Sequence, residues 1–116
     1  MINNLSGKLA EHLALLFLRL KGYLLVEHNH ITGRGTGAGE IDLIVKKAQT
    51  LVFVEVKKRS SLSTAAYSIS PKQQNRIRRA AETYLATHPQ YYNFDIRFDA
   101  ILIASNLKIL HIQNAF

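Results

Sequence analysis

Two short stretches constrain this chain more than any other feature: Gly39-Glu-Ile-Asp-Leu-Ile44 and Val52-Phe-Val-Glu-Val-Lys57. Both are built from residues that favour extended backbone, yet both carry charge among their apolar positions. In a strand, alternate residues share a face. Glu40, Asp42 and Ile44 therefore point one way, and Phe53, Glu55 and Lys57 share a face of the next strand. Ile41, Leu43, Val52, Val54 and Val56 take the opposite face. Carboxylates set among such neighbours are costly to bury unless something compensates them. The polar connection at 46–50 suggests a hairpin, and opposite residues of an antiparallel pair share a face. Asp42 faces Glu55 only if paired residue numbers sum to 97, which requires a loop with an even number of residues. An odd loop sets Asp42 against Val54 or Val56 instead.

The remaining segments read as helices and strands around this pair. Residues 5–20 read as a helix, with Leu9, Leu13, Leu16, Phe17 and Leu20 spaced along one buried face and Gly22 stopping it. Glu11 lies off the polar stripe of Lys8, His12 and Arg19, so it is expected to be partly buried. Residues 23–28 read as a strand, and His28 and His30 are expected on one strand face. Loops are expected at 32–39, which is glycine-rich and carries Arg34, and at 60–69. In the second helix Ser70 caps, Pro71 takes the first position and Gln73 completes a capping box. Ile77, Ala80, Ala81, Tyr84 and Leu85 give its buried face, with Gln74 on the same side. Residues 94–104 and 107–113 read as two further strands that turn at Ser105-Asn106. The order α-β-β-β-α-β-β predicts an α/β fold, a mixed sheet flanked by helices. A length of 116 residues predicts one domain.

Composition narrows the partners. Fifteen Lys+Arg against eight Asp+Glu give a net charge of +7, which favours a polyanion. The absence of cysteine excludes a disulfide scaffold, a thiol nucleophile and a thiolate zinc site. The apolar run from Leu13 to Leu18 is broken by Arg19 and Lys21, too short to cross a membrane. No cleavage site follows it, so a cytoplasmic protein without a membrane partner is expected. The glycine-rich loop fits neither G-x-G-x-x-G nor a Walker motif, which excludes a nucleotide-binding fingerprint.

Adjacent carboxylates at Asp42 and Glu55 repel each other unless a cation lies between them. An oxygen donor set with few other partners suits Mg²⁺ or Mn²⁺. Lys57, two residues beyond Glu55, is placed to orient an attacking water or offset transition-state charge. Glu11 is either a further ligand or a simple partner of Lys8, and Glu40 either supports the site or only starts a strand. Lys72, Arg76 and Arg79 recur along the second helix with Arg78 beside them. Together with Lys58, Arg59 and Arg34 they suit phosphate contacts, the alternative being a solvated face. Gln74 reaches either the metal site or a plain helix-to-sheet hydrogen bond. On the residues alone, a cross-strand salt-bridge cluster on a solvated sheet face is the preferred reading of Asp42, Glu55 and Lys57 over a catalytic centre.

The pattern Asp42…Glu55-Val-Lys57 resembles the PD-(D/E)XK nuclease superfamily, and the element order is similar to its restriction-endonuclease-like core. The leading helix with Glu11 is similar to archaeal Holliday-junction resolvases. Nearly the whole chain resembles the YraN family. The matching stretches are Gly7-Lys-Leu-Ala-Glu11, Gly39-Glu-Ile-Asp-Leu-Ile44, Val52-Phe-Val-Glu-Val-Lys-Lys-Arg59, Lys72, Arg97-Phe-Asp99 and His111-Ile-Gln-Asn-Ala-Phe116. The glycine-rich insertion before Glu40 departs from the shorter, more basic loop expected there. The resemblance implies Mg²⁺- or Mn²⁺-dependent DNA endonuclease activity, on branched, repair or recombination DNA. Its alternative is a catalytically inactive nucleic-acid-binding module of the same fold. In this reading Asp42, Glu55 and Glu11 hold metal and Lys57 assists the water. DNA is favoured over RNA, and analogy to resolvases implies a homodimer. A structural adaptor, with the acidic cluster as a salt-bridge network, is the third alternative.

Overall fold

The run Thr50–Arg59 forms a strand, β3, because five of its positions, Leu51 to Val54 and Val56, carry apolar side chains that both faces of a covered sheet can bury. In the computed structural model, which describes residues 6–31, 40–60 and 69–116, β3 is the middle of a five-stranded sheet. Its neighbours in chain order are α1 (Gly7–Leu20), β1 (Leu24–Ile31), β2 (Glu40–Lys47), α2 (Pro71–Ala86), β4 (Asp95–Ala104) and β5 (Ile109–Ile112). The sheet order is β1-β2-β3-β4-β5, with β3 and β4 parallel and the other pairs antiparallel. The α2 crossover makes the parallel pair possible. This is the α/β architecture expected of a restriction-endonuclease-like core. Arg34 and the rest of residues 32–39, and residues 61–68 of the loop expected at 60–69, lie outside the described residues.

Each helix covers one face. Ala10, Ala14 and Leu18 of α1 pack with Leu43, Val45, Val52, Val54, Ile101 and Ile103. Ala80, Ala81 and Tyr84 of α2 pack with Ile41, Ile44, Leu51 and Phe53 on the other side. Both helices start as expected, with Ser6 and Ser70 hydroxyls accepting from the backbone N–H of Leu9 and Gln73. The face of α1 differs from the expectation. Leu16 and Leu20 are 57% and 81% exposed, Leu9 is also exposed, and the helix instead buries small residues. Ala10 and Ala14 let the helix backbone come close to β3, which leucines at those positions would prevent.

The hairpin between β2 and β3 turns on two residues, Ala48 and Gln49, and its paired residues sum to 97, from Leu43↔Val54 to Lys47↔Thr50. That is the register the paired-carboxylate reading required. Two strand assignments shift: β1 runs to Ile31 rather than ending at His28, and Phe94 precedes β4.

Strict alternation fails at one rung. Ile41 packs in the α2 cluster, whereas Leu43, two residues on, packs in the α1 cluster. The same reversal occurs in β1. His28 lines a groove beside α1, while the ring of His30 meets Tyr84 of α2 edge-on at 5.0 Å. The two histidines therefore do not share a face. The pairs His28↔Leu43 and His30↔Ile41 bracket Asn29 and Asp42, and Asn29 has a left-handed backbone (φ 51°). A residue with positive φ interrupts the pleat, so side chains on either side of it exchange faces.

The far side of the sheet is tied by a buried polar cluster. Asp99, fully buried, accepts from Arg97 Nε and Nη2 at 2.8 Å each and from Asn114 N at 3.0 Å, and pairs with His111 Nε2 at 2.7 Å. Arg97 also donates to the Tyr23 hydroxyl at 2.6 Å. The cluster joins β4, β5 and the segment after α1.

Candidate metal and nucleic-acid site

The site forms where β2 and β3 part. Beyond Leu43↔Val54 no further rung of this pair is bridged, and the Asp42 carboxylate replaces the missing carbonyl: Val56 N–H donates to Asp42 Oδ2 at 2.8 Å. The strand-end geometry thus brings Asp42 beside Glu55. Lys57 Nζ lies 3.1 Å from Glu55 Oε1, with the lysine side chain one-quarter exposed.

Asp42 and Glu55 line two clefts. One, of about 380 Å³, is shared with Gly7, Ala10 and Glu11 of α1 and with Val56, Lys57, Lys58 and Arg59 of β3. The other, of about 240 Å³, adds Glu40 of β2 and Gln73, Arg76 and Ile77 of α2. Two carboxylates at the sheet end are thus reached from both helical layers.

The electrostatics are those of an acidic centre in which burial and neighbouring acids raise both carboxyls. Burial pushes the Asp42 carboxyl up to about 7; repulsion from Glu55, Glu11 and Glu40 adds to the rise, and the Val56 hydrogen bond opposes it. Glu55 is also raised, chiefly by burial, with Lys57 opposing. Neighbouring carboxyls of this kind titrate as a pair, and a divalent cation between them would relieve the cost of ionising both.

The donor set fits such a cation. Among the described residues, no three His, Cys, Asp or Glu side chains converge closely enough to cage an ion alone. Mg²⁺ does not need such a cage: one or two carboxylates suffice when water and phosphate oxygens complete the shell. Asp42 and Glu55 would be those ligands, with Glu11 facing the same cleft.

Of the basic residues named from the sequence, Lys58, Arg59 and Arg76 line the clefts, and Arg59 Nη1 also donates to the Lys58 carbonyl at 2.8 Å. Lys72 and Arg79 lie exposed on α2. Arg78 stacks over the rings of Phe98 and Phe116 instead, at 4.9 and 5.9 Å. Gln74 does not reach the site: its Nε2 donates to the Ile69 carbonyl at 2.9 Å, closing the turn before α2. Its neighbour Gln73 reaches it, donating from Nε2 to Glu55 Oε1 at 3.2 Å. One residue along a helix turns the side chain by about 100°, enough to exchange the two roles. The capping box is therefore half made, since the Gln73 side chain serves Glu55. Asn29 was also missed. A polar residue between two histidines carries no signal of its own, and only its backbone and its register opposite Asp42 mark it.

The family model described as Uncharacterised protein family UPF0102 matches residues 10–103. A UPF0102 protein of Paramagnetospirillum magneticum is 44% identical over 110 residues, which cover 95% of this chain and 85% of the relative. One from Bradyrhizobium diazoefficiens is 41% identical over 96% of this chain and 80% of its own length. One from Rhodopseudomonas palustris strain BisB18 is 42% identical over 96% and 79% respectively. The matched span runs from the Ala10 of α1 through the whole of the acidic centre to Ile103 of β4, and on these grounds the chain belongs to the UPF0102 (YraN) family.

Proposed function

We propose that this protein is a divalent-metal-dependent endonuclease acting on DNA, with Asp42 and Glu55 as metal ligands. The observation that carries the reading is the pair of carboxylates where β2 and β3 part, lining clefts on both helical layers and both raised chiefly by burial, with Lys57 Nζ 3.1 Å from Glu55 Oε1. A salt-bridge network would hold both acids ionised; here burial and neighbouring acids, Glu11 for both and Glu40 for Asp42, raise them although Lys57 opposes the rise at Glu55. A bound Mg²⁺ or Mn²⁺ supplies a Lewis acid that lowers the pKa of water and offsets charge on phosphate. Lys57 orients the water and donates to the developing charge, and Gln73 holds Glu55 Oε1 in place. Arg76, Lys58 and Arg59 at the cleft rims, with Lys72 and Arg79 further along α2, bind the phosphates on either side. Glu11 lines the wall on the α1 side. A homodimer, as in resolvases, would present two such centres to one DNA molecule.

The test is a cleavage panel of branched, single-stranded and duplex DNA with Mg²⁺ or Mn²⁺. Asp42→Ala and Glu55→Ala abolish cleavage and the thermal shift that Mn²⁺ gives the wild type, and Lys57→Ala lowers cleavage by at least 100-fold while DNA binding persists. Salt-dependent binding without cleavage of any substrate would establish the inactive binding module instead. A Mn²⁺ response equal in wild type and both carboxylate variants would overturn the metal site.

A further inference from the structure

Asn29 stands outside every role given above, yet the geometry around it is specific. With its amide nitrogen toward the carboxylates, which can only accept, Asn29 Nδ2 lies 2.8 Å from Glu11 Oε1 and 3.2 Å from Glu40 Oε1. Its amide oxygen then accepts from His28 Nδ1 at 3.2 Å, which fixes the proton of that ring on Nδ1. One NH₂ group therefore gives one hydrogen to each of two acids from different elements, α1 and β2. Its left-handed backbone (φ 51°) aims it there, and the adjoining rungs place it across from Asp42.

From these contacts we infer that Asn29 is a positioning residue, holding Glu11 and Glu40 together at the edge of the centre formed by Asp42 and Glu55. The inference rests on the metal reading above and adds to it the device that sets the outer acids. Two carboxylates brought this close repel and would swing apart into solvent; a neutral amide with two hydrogens holds both without cancelling the charge that attracts a cation. Neither a lysine nor a hydroxyl does this. A lysine would neutralise one acid and compete with the metal, and a hydroxyl has a single hydrogen. Asn also tolerates the left-handed backbone that most side chains resist. The same residue thus does two things: it turns the strands at the rung of Asp42, and it ties α1 to β2 across the site.

The two roles separate by mutation. Asn29→Gly keeps the backbone freedom and loses the amide, whereas Asn29→Ala loses both. Mn²⁺ binding to the full chain, read by the loss of the free ion's paramagnetic resonance signal, is expected to weaken about 10- to 100-fold in both variants, the loss typical when the partner of a metal ligand is removed. The Gly variant melts near the wild type and the Ala variant lower. A second reading needs no metal: in the ¹⁵N-labelled protein the Asn29 side-chain NH₂ exchanges slowly with water, and Glu11→Ala makes it fast. Mn²⁺ affinity in Asn29→Gly within twofold of wild type would overturn the inference and leave the metal reading intact. An unprotected Asn29 amide in the wild type would also overturn it. A wild type that binds no Mn²⁺ would overturn the metal reading, and with it the functional part of this one.

Discussion

At the scale of single residues, the acidic centre has a cost that the folded protein carries whenever no cation is bound. Asp42 titrates near 7 in the fold against an ordinary carboxyl value near 4. A group whose pKa is raised by folding stabilises the fold while protonated, so its contribution is complete below about pH 4 and is lost as pH rises through 7. Metal-free protein is therefore expected to lose stability to urea between pH 5 and pH 8. Asp42→Asn, which keeps an oxygen acceptor for Val56 N–H and removes the charge, should flatten that dependence and be the more stable of the two at pH 8. Equal slopes for both proteins would show that the repulsion is relieved elsewhere. Asp99 stands in contrast. It is also buried, but Arg97, His111 and the Asn114 N–H hold its pKa below the usual carboxylate range. One buried acid is satisfied and structural; the other is left wanting a positive partner. The sequence shows both as acids in β-forming runs, and nothing local tells them apart, because Asp99 finds its partners on β5 and on its own strand, whereas Asp42 finds other acids.

Among elements, what could be read beforehand depended on whether packing followed residue size. The face of α2 followed from its periodicity, since Ile77, Ala80, Ala81 and Tyr84 are buried as spaced. Parity reduced the hairpin register to two alternatives, and the two-residue turn selects the one that leaves Asp42 and Glu55 on neighbouring strands at matching heights. The face of α1 did not follow. Its many leucines point to a core stripe, but close approach to the sheet selects Ala10 and Ala14, and Leu18 rather than Leu16 or Leu20 fills the interior. Mutation tests this directly. Leu18→Ala should cost about 2–5 kcal/mol in chemical denaturation, as a fully buried leucine does, while Leu20→Ala should change stability by no more than about 0.5 kcal/mol. Comparable losses at the two positions would mean that α1 packs by its large residues after all. The reversal of faces at Asn29 and Asp42 was equally hidden, since alternation is inferred on the assumption that the pleat is unbroken.

For the molecule as a whole, the charge of +7 is not spread evenly. Four of its eight acids, Glu11, Glu40, Asp42 and Glu55, line two adjoining clefts where β2 and β3 part, and Arg76 of α2 with Lys57, Lys58 and Arg59 of β3 line the same clefts. Among the described residues no helix is long and apolar enough to cross a membrane, and the basic rim faces outward on a sheet whose two sides are already covered. Binding to DNA is expected to weaken steeply with salt, with a log–log slope of about −0.9 for each phosphate neutralised. Arg76→Ala should reduce that slope by about one while weakening all sequences alike; an unchanged slope would remove Arg76 from the phosphate-binding set. The fork between β2 and β3 has one more consequence. The Val56 amide is anchored to a carboxylate where its neighbours along the strand are anchored to carbonyls. Its nitrogen and proton resonances are therefore a built-in meter of the charge on Asp42, and a single peak in a labelled sample would report protonation, metal capture and substrate arrival in turn, with no probe attached to the protein.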